Sequence, residues 1–207
     1  MKKLNKTNEK EHRSLFLHAL REGTVEIMGT AKSEQIFSSI TNGEMLENEV
    51  EGKDGYSILE NLGNEFAIRF QRNTANGLMI RIGEASFSYL RKENQQLLEL
   101  GLIENRLKPI AKRFEESLQV LGVVLSRLTQ LNIQILKKSD TIFCLEVFGN
   151  GYGKVLASDL HLFYIMGILR GFCLWLDSRK EYSFTIEEGK AANECVNFVC
   201  MRIMDIE

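Results

Sequence analysis

A long apolar segment near the end of the chain constrains the fold more than any other feature. It extends from Ser158 to Asp177, and Arg170 is the one arginine that interrupts it. Apolar residues occupy nearly all sides of the helix that this segment would form, and such a helix is buried rather than exposed along one face. A membrane span requires about 18 or more predominantly apolar residues. Arg170 within the segment and Asp177 at its end leave too short an apolar run for a span. We therefore expect a buried helix that the rest of the chain must cover.

Four strand-like segments surround this helix in the sequence. Thr141–Phe148 precedes it, and Asn132–Leu136 comes before that strand, across the polar turn Lys137–Asp140. β-branched residues on both arms of a turn are typical of a hairpin. Tyr182–Glu187 and Cys195–Ile203 follow the helix and have the composition of a second pair of strands. The sequence thus predicts a small antiparallel sheet.

The segments upstream of the hairpin have the apolar spacing of helices. Pro109 stands near the start of the last of them, where a proline costs no hydrogen bond. Helices that come first and strands that come later favour an α+β fold over a doubly wound parallel sheet. We expect a single domain from residue 13 to residue 207, preceded by a flexible N-terminus of residues 1–12. The predicted helices are Arg13–Met28, Ser33–Ile40, Tyr56–Arg72, Glu84–Lys92 and Pro109–Leu131, with a turn at Asn73–Gly77 and a long polar loop at Thr41–Gly55.

Charge and cysteine content exclude several classes of protein. A formal net charge of -2 over 207 residues gives no basic field for nucleic acid. The N-terminus lacks the apolar core of a secretory signal. The four cysteines, Cys144, Cys173, Cys195 and Cys200, have no compact spacing. They are typical of reduced, packed thiols in a cytoplasmic protein rather than of a disulfide framework.

No motif in the sequence indicates catalysis. The glycine-rich segment Gly149–Gly153 resembles a phosphate-binding loop, but Lys154 is followed by Val155 where such a loop has serine or threonine. Nothing near Ser86 or Ser158 supplies the base and the orienting group that a nucleophile requires. We therefore do not expect an enzyme.

Ligands for a metal ion or a cofactor are scarce. Glu187, Glu188 and Cys195 are weak zinc candidates that would have to converge across a turn, whereas Cys195 and Cys200 lie on one strand and point to opposite faces. His161, on the buried helix, is open to two interpretations. It is either a heme or metal ligand, or a hydrogen-bonded core residue, which a lone helical histidine more often is. We expect no resident cofactor, with zinc as the alternative.

Aromatic and sulfur-containing side chains gather on the apolar helix. Most of them must form core, but a helix of this kind packed on a small sheet can also enclose a cavity suited to an apolar ligand. A filled core without a pocket is the alternative. The residues that we expect to contact such a ligand are Phe163, Tyr164, Met166, Phe172 and Trp175.

Four short segments resemble one known family. Asn76–Phe87 is similar to its glycine–apolar–Arg–Ile–Gly–x–Ala–x–Phe segment, and Ile165–Phe172 with Arg179–Glu188 is similar to its late helix, turn and acidic-ended strand. Asn193–Phe198 resembles its closing Gly-Asp-x-x-Cys-x-Phe motif. The family is the vinyl-reductase-type, or hydrocarbon-binding, small-molecule-binding domain, which is similar in fold to TRAPP transport-complex subunits and to the sensor domains of aromatic-responsive regulators. The likeness extends from about residue 20 to the end of the chain.

The resemblance implies an α+β domain that dimerises through its N-terminal helices and holds an apolar ligand. Many relatives carry a Glu–Cys–Cys zinc cluster, which Glu187 or Glu188 and Cys195 match only in part. The expected function is non-enzymatic, cytoplasmic sensing of a small apolar or aromatic molecule, signalled through a homodimer or a protein partner. The alternatives are an interaction scaffold with a filled core and an accessory protein of tetrapyrrole metabolism.

Overall fold

A computed structural model of the chain describes residues 2–40, 55–102, 107–148, 159–191 and 194–204. Within these ranges the chain forms seven helices and four strands. The helices are α1 (Lys2–Met28), α2 (Thr30–Ile40), α3 (Gly55–Arg69), α4 (Arg72–Glu93), α5 (Gln95–Glu99), α6 (Ile110–Thr129) and α7 (Leu160–Leu176). The strands are β1 (Asn132–Lys137), β2 (Ile142–Phe148), β3 (Glu181–Ala191) and β4 (Glu194–Met204).

The four strands form one antiparallel sheet in the order β1-β2-β4-β3. Alternate residues of a strand point to opposite faces. On β2, Phe143, Leu145 and Val147 point to one face and belong to the same buried core as the helices. Val199 and Met201 on β4 do the same. These elements confirm the predicted α+β fold with N-terminal helices, a small antiparallel sheet and a long buried helix.

Helix α7 is that buried helix, and α4 packs directly against it. A Cβ atom added to Gly83 of α4 would overlap the carbonyl oxygen of Tyr164. A Cβ atom added to Gly167 of α7 would overlap the carbonyl oxygen of Ile80. Glycine at both positions therefore allows the two helix backbones to touch.

Helix α4 is continuous where the sequence predicts a turn followed by a shorter helix. The turn predicted at Asn73–Gly77 and the helix start predicted at Glu84 were therefore wrong. Asn and Gly lower the intrinsic stability of a helix by no more than about 1 kcal/mol each. Ala75 and Met79 are fully buried in the core, and their burial outweighs that cost.

Helix α1 is also longer than predicted. It begins at Lys2 rather than at Arg13 and passes through Gly23 without a break. Gly23 lies against α4, where an added Cβ atom would overlap Ser86. Gly29 follows the end of the helix with a φ of +81°. The division into a flexible N-terminus and a single domain stays a prediction.

Two predicted segments fall outside the described residues. They are the polar loop, of which Gly55 alone is described, and the glycine-rich turn Gly149–Gly153. In the part of the chain that the structure does describe, none of the helices combines the length and the apolar character that crossing a membrane requires.

The cysteines depart from the sequence-based expectation. Cys144 of β2 and Cys200 of β4 form a disulfide bond, so the prediction that they are reduced thiols was wrong. The two cysteines are 56 residues apart in sequence, and the strand register makes them direct partners with Cα atoms 4.0 Å apart. Cys173 on α7 is a free, buried thiol, as predicted. The side chain of Cys195 lies outside the described residues.

Candidate functional site

The aromatic residues predicted to bind a ligand fall into separate contacts along α7. Phe172 and Trp175 have ring centroids 6.1 Å apart, and both pack on Phe87 of α4, at 5.8 and 6.0 Å. The guanidinium of Arg91 lies over the indole of Trp175, 5.4 Å from its centroid. The cluster of Phe87, Phe172 and Trp175 thus joins two of the predicted residues to one that was not predicted, and Trp175 at its edge is half-buried.

Tyr164 lies elsewhere on the same helix. Its ring meets Phe16 of α1 edge to face at 6.1 Å, and its side chain is fully buried. Burial raises the pKa of the Tyr164 hydroxyl, with a smaller opposing effect from the neighbouring Ser86 hydroxyl. Phe163 is half-buried and Met166 is buried. Of the five predicted residues, Phe172 and Trp175 thus share one cluster, whereas Tyr164 packs separately against α1.

His161 occupies the first turn of α7 and is 2% exposed. Its ring meets Tyr56 of α3 edge to face, with centroids 5.7 Å apart. The other two histidines, His12 and His18, are on α1 and are less buried. His161 is therefore the histidine that the fold places in its interior, which leaves both interpretations of it open.

A buried ion pair at the end of α7 was not anticipated from the sequence. Arg113 of α6 donates from Nη2 to Oδ2 of Asp177 at 3.3 Å, and the two side chains are 9% and 3% exposed. Arg179 also donates to this carboxylate, and Tyr182 donates from its hydroxyl to the Asp177 carbonyl oxygen at 2.7 Å. The hydrogen bonds from Arg179, with the charge of Arg113, hold the pKa of Asp177 below its usual range. The network ties α6, α7 and the start of β3 together.

Of the weak metal candidates, Glu187 and Glu188 are described on β3, whereas the side chain of Cys195 is outside the described residues, so the zinc site stays a prediction. Glu187 accepts a hydrogen bond from the Lys138 ammonium at 2.9 Å, and this bond holds the pKa of Glu187 below its usual range. Glu188 follows it on β3 and therefore points to the other face of the sheet. Cys195 pairs in register with Lys190 rather than with either glutamate. Among the described residues, no three or more His, Cys, Asp or Glu side chains are grouped to hold a metal ion.

An open groove on the surface lies away from all of these residues. It occupies about 580 Å³ between α2 and the end of α3. Arg69 bonds across it from Nη2 to the Ser39 hydroxyl at 2.8 Å and from Nε to Glu65 at 2.7 Å. None of the predicted ligand residues reaches this groove, which is lined by Ala31, Glu34, Gln35, Ser38, Ser39 and Arg69.

Solved structures of H-NOX domains share this fold. An oxygen-binding H-NOX domain related to soluble guanylate cyclases, in its oxygen complex, matches with a TM-score of 0.58 and 10% identity over 93% of this chain and 95% of that chain. A structure described as probing heme distortion in the H-NOX family matches with a TM-score of 0.59 and 9% identity, again over 93% and 95%. A mutant Fe(II) unliganded H-NOX protein from K. algicida matches with a TM-score of 0.56 and 12% identity over 93% and 97%. No protein-family model and no curated protein matches the sequence.

These neighbours correct the family suggested by the sequence. The matching structures are H-NOX domains, so the predicted likeness to the vinyl-reductase-type, hydrocarbon-binding family and to TRAPP subunits was wrong. The physical reason lies in the segments that carried the resemblance. Asn76–Phe87 contains Gly83 and Ile165–Phe172 contains Gly167, the two glycines at which α4 and α7 touch. Both segments are therefore explained by the contact between α4 and α7, and a helix contact of this kind does not identify a family.

The prediction of no cofactor is also overturned by this comparison. Two of the matching structures are described in terms of heme, one through its redox potential and one through its distortion. At 9 to 12% identity the likeness establishes the fold and leaves the ligand of this chain to be argued from its own residues.

Proposed function

We propose that this chain is a non-enzymatic sensing domain for a small molecule. The observation that carries the proposal is the fold, which this chain shares with an oxygen-binding H-NOX domain over 93% of its length. A sensing domain acts by binding its ligand more tightly in one conformation than in another, so that binding shifts the population of the two. The readout would be a change in the chain's own assembly or in its affinity for a protein partner.

Heme is the first candidate ligand, and one buried side chain is of the kind that ligates its iron. Proteins hold heme iron through an axial His, Cys thiolate, Met or Tyr. Burial raises the pKa of Cys173 and of Tyr164, so both stay protonated and neither favours the anionic form that binds iron. His161 is buried, and histidine imidazole is a common ligand of metal ions, which makes His161 the residue that would hold the iron.

The contact between α4 and α7 limits where heme could bind. The backbones touch at Gly83 and Gly167, which leaves no space for a planar macrocycle between these helices. The position proposed for the iron is therefore His161 at the first turn of α7, where Tyr56 is its aromatic neighbour. Bound heme would supply reversible coordination of a diatomic gas such as oxygen.

Titration of the purified protein with hemin tests this assignment. We expect a saturable change in the Soret absorbance at one hemin per chain, and a further shift when the reduced complex meets oxygen or carbon monoxide. His161→Ala should lose the coordinated spectrum, whereas His18→Ala, on the exposed side of α1, should keep it. A wild-type spectrum that matches free hemin, or an unchanged spectrum in His161→Ala, would contradict the assignment.

A small apolar or aromatic molecule is the second candidate ligand, at the cluster of Phe87, Phe172 and Trp175. Trp175 is the only tryptophan in the chain, so its fluorescence reports on this cluster alone. A ligand at about 100 times its dissociation constant should stabilise the fold by about 2.7 kcal/mol. Native mass spectrometry and thermal shift across a hydrophobic library measure this. No adduct, no shift and unchanged Trp175 emission would count against the cluster as a site.

An interaction scaffold is the alternative function, and the direct contact of α4 with α7 favours it because that contact fills the space beside the aromatic residues. A scaffold would bind neither hemin nor library compounds and would instead form a stable complex of defined stoichiometry. Light scattering on the isolated chain measures whether it forms the homodimer proposed from the sequence. A ligand-dependent change in that mass would favour sensing over the scaffold.

A further inference from the structure

The disulfide between Cys144 and Cys200 lies on the face of the sheet that points away from the helices. Its neighbours in the two strands, Phe143 and Met201, are fully buried in the shared core. Because side chains alternate along a strand, the two cysteines must face the opposite side. Arg202, two residues beyond Cys200 on that side, is exposed. The bond is therefore not part of the helix-facing core.

The register of the sheet holds the two sulfur atoms together whether or not they are bonded. The Ile203 amide donates to the Thr141 carbonyl at 2.8 Å, which makes that pair a hydrogen-bonded one. Pairs alternate along an antiparallel ladder, so Cys144 and Cys200 form a non-hydrogen-bonded pair, where side chains approach most closely. Seven paired positions already join β2 to β4, from Ile142↔Arg202 to Phe148↔Val196. Breaking the disulfide would leave the cysteines side by side.

A cation stands beside one of the two sulfurs. The Nζ atom of Lys138 lies 3.8 Å from Sγ of Cys200 and 2.9 Å from Oε2 of Glu187. A lysine ammonium next to a cysteine favours the thiolate, which is the reactive form of the side chain. Glu187 shares the ammonium and positions it over this part of the sheet. Cys144 has no such contact among the described residues.

The two cysteines differ in solvent exposure, which suggests a different role for each. Cys200 is 5% exposed and Cys144 is 0% exposed, so a small reagent reaches Cys200 first. We propose that Cys144 and Cys200 are a reversible redox pair, in which Cys200 reacts with hydrogen peroxide and Cys144 then attacks the oxidised sulfur to form the disulfide. The proposal is independent of the ligand that the domain senses, and the structure represents the oxidised state of the pair.

The chemistry balances in two steps. The Cys200 thiolate attacks one peroxide oxygen, the O–O bond breaks, and the leaving hydroxide takes a proton to become water, which leaves Cys200 as a sulfenic acid. The Cys144 thiol then loses its proton and attacks the Cys200 sulfur, and the S–O bond breaks with release of a second water. The two sulfurs lose two electrons and the peroxide gains them. A dithiol reverses the change by two thiol–disulfide exchanges and is itself oxidised to a disulfide.

Thiol counting on the full chain tests the pair. The protein is reduced with a dithiol under native conditions, freed of reductant, and treated with one equivalent of hydrogen peroxide. We expect two of the four thiols to disappear, peptide mapping to find Cys144 joined to Cys200, and renewed dithiol treatment to restore both. Thiols that do not react, a different pairing, or a bond that the dithiol cannot break in the folded protein would overturn the proposal. These measurements need only the wild-type chain.

Four substitutions assign the roles. Cys200→Ser should abolish the rapid reaction, and Cys144→Ser should leave a sulfenic acid on Cys200 that dimedone traps. Cys173→Ser is the matched control, because this buried thiol takes no part and its removal should leave the rate unchanged. Lys138→Met should slow peroxide consumption roughly tenfold, the change in thiolate fraction that one unit of thiol pKa produces. An unchanged rate in Lys138→Met, or a slower one in Cys173→Ser, would refute the assigned roles.

Discussion

At the scale of single residues, the Arg113–Asp177 pair is the most consequential polar contact in the interior. Both side chains are almost wholly withdrawn from water, and Arg179 and Tyr182 bond to the same aspartate. Asp177 marks the end of the apolar segment in the sequence, but nothing there indicates which cation faces it. Arg113 is 64 residues away, on a helix whose other buried residues are largely apolar. Only the packing of α6 against the end of α7 reveals the partner.

Removing the aspartate should destabilise the fold strongly. In Asp177→Asn, the Arg113 charge stays buried without its counterion, and breaking a buried pair in this way costs about 3–5 kcal/mol. Urea denaturation measures the free energy of unfolding. Asp140→Asn is the matched control, because Asp140 pairs with Lys137 on the surface and is 82% exposed. That control should cost less than about 1 kcal/mol. An equal decrease in the free energy of unfolding of the two variants would show that the buried pair stabilises the fold no more than the surface pair does.

The same pair should make stability depend on pH in acid. The pKa of Asp177 is lower in the folded state than in the unfolded chain, so the unfolded chain binds the proton more tightly. The stabilisation is therefore complete above the unfolded pKa, near about 4, and is lost as the pH falls through the lower folded pKa. The difference in unfolding free energy between wild type and Asp177→Asn should shrink from about pH 5 downwards. A difference that stays constant across this range would contradict the prediction.

At the scale of elements, the contact between α4 and α7 organises the helical layer. Two glycines, Gly83 and Gly167, bring the backbones together, and Gly23 of α1 contributes a similar approach at Ser86. Apolar periodicity in the sequence identified α7 and its burial correctly. It missed the first half of α4 because Asn73–Gly77 has the composition of a turn, and local propensity carries no information about the helix that packs on it.

Alanine at these glycines should separate packing from helix propensity. Gly83→Ala places a methyl group against the Tyr164 carbonyl and should destabilise the fold by about 1–3 kcal/mol. Gly77→Ala is the control on the same helix, since nothing lies within 4 Å of an added Cβ atom there. It should stabilise the fold by about 0.5–1 kcal/mol, because alanine is the better helix former. Chemical denaturation of both variants measures this, and a stable Gly83→Ala would mean that the helices separate without cost.

The sheet and its cysteines show a different limit of sequence reasoning. The hairpin Asn132–Phe148 was predicted almost to the residue, because its strands are adjacent in sequence and a polar turn joins them. The pairing of β2 with β4 was not, and the disulfide depends on that pairing. Cys144 and Cys200 become neighbours only once the register is known, so their spacing in the sequence suggested separate thiols.

At the scale of the whole molecule, the helices and the sheet share one buried core. We therefore predict that the chain unfolds as a single unit. Trp175 emission reports on the contact of α7 with α4, and far-ultraviolet circular dichroism reports on all helices and strands together. The two transitions should coincide in urea, as expected for two-state unfolding. Separate midpoints would mean that the predicted single domain is divided.

The candidate site was harder to predict than the fold, because its residues are brought together by contacts between elements that are distant in the sequence. Phe163, Tyr164, Met166, Phe172 and Trp175 were grouped because they lie on one helix, yet a helix presents residues on all its sides. In the structure Tyr164 packs against Phe16 of α1, whereas Trp175 packs against Phe87 of α4. His161 was correctly placed on the buried helix, but its neighbour Tyr56 comes from a distant helix that no spacing rule identifies.

The sheet order also bears on how the chain is made. Among the four described strands β4 is synthesised last, yet it lies between β2 and β3. Until it arrives, the first hairpin and the third strand have nothing to join them, and their unpaired edges stay open to other chains. Assembly of the sheet is thus a late event that joins distant parts of the polypeptide, which slows folding relative to the helices. A nascent chain stalled just before β4 would carry the helical layer, the β1–β2 hairpin and an unpaired β3.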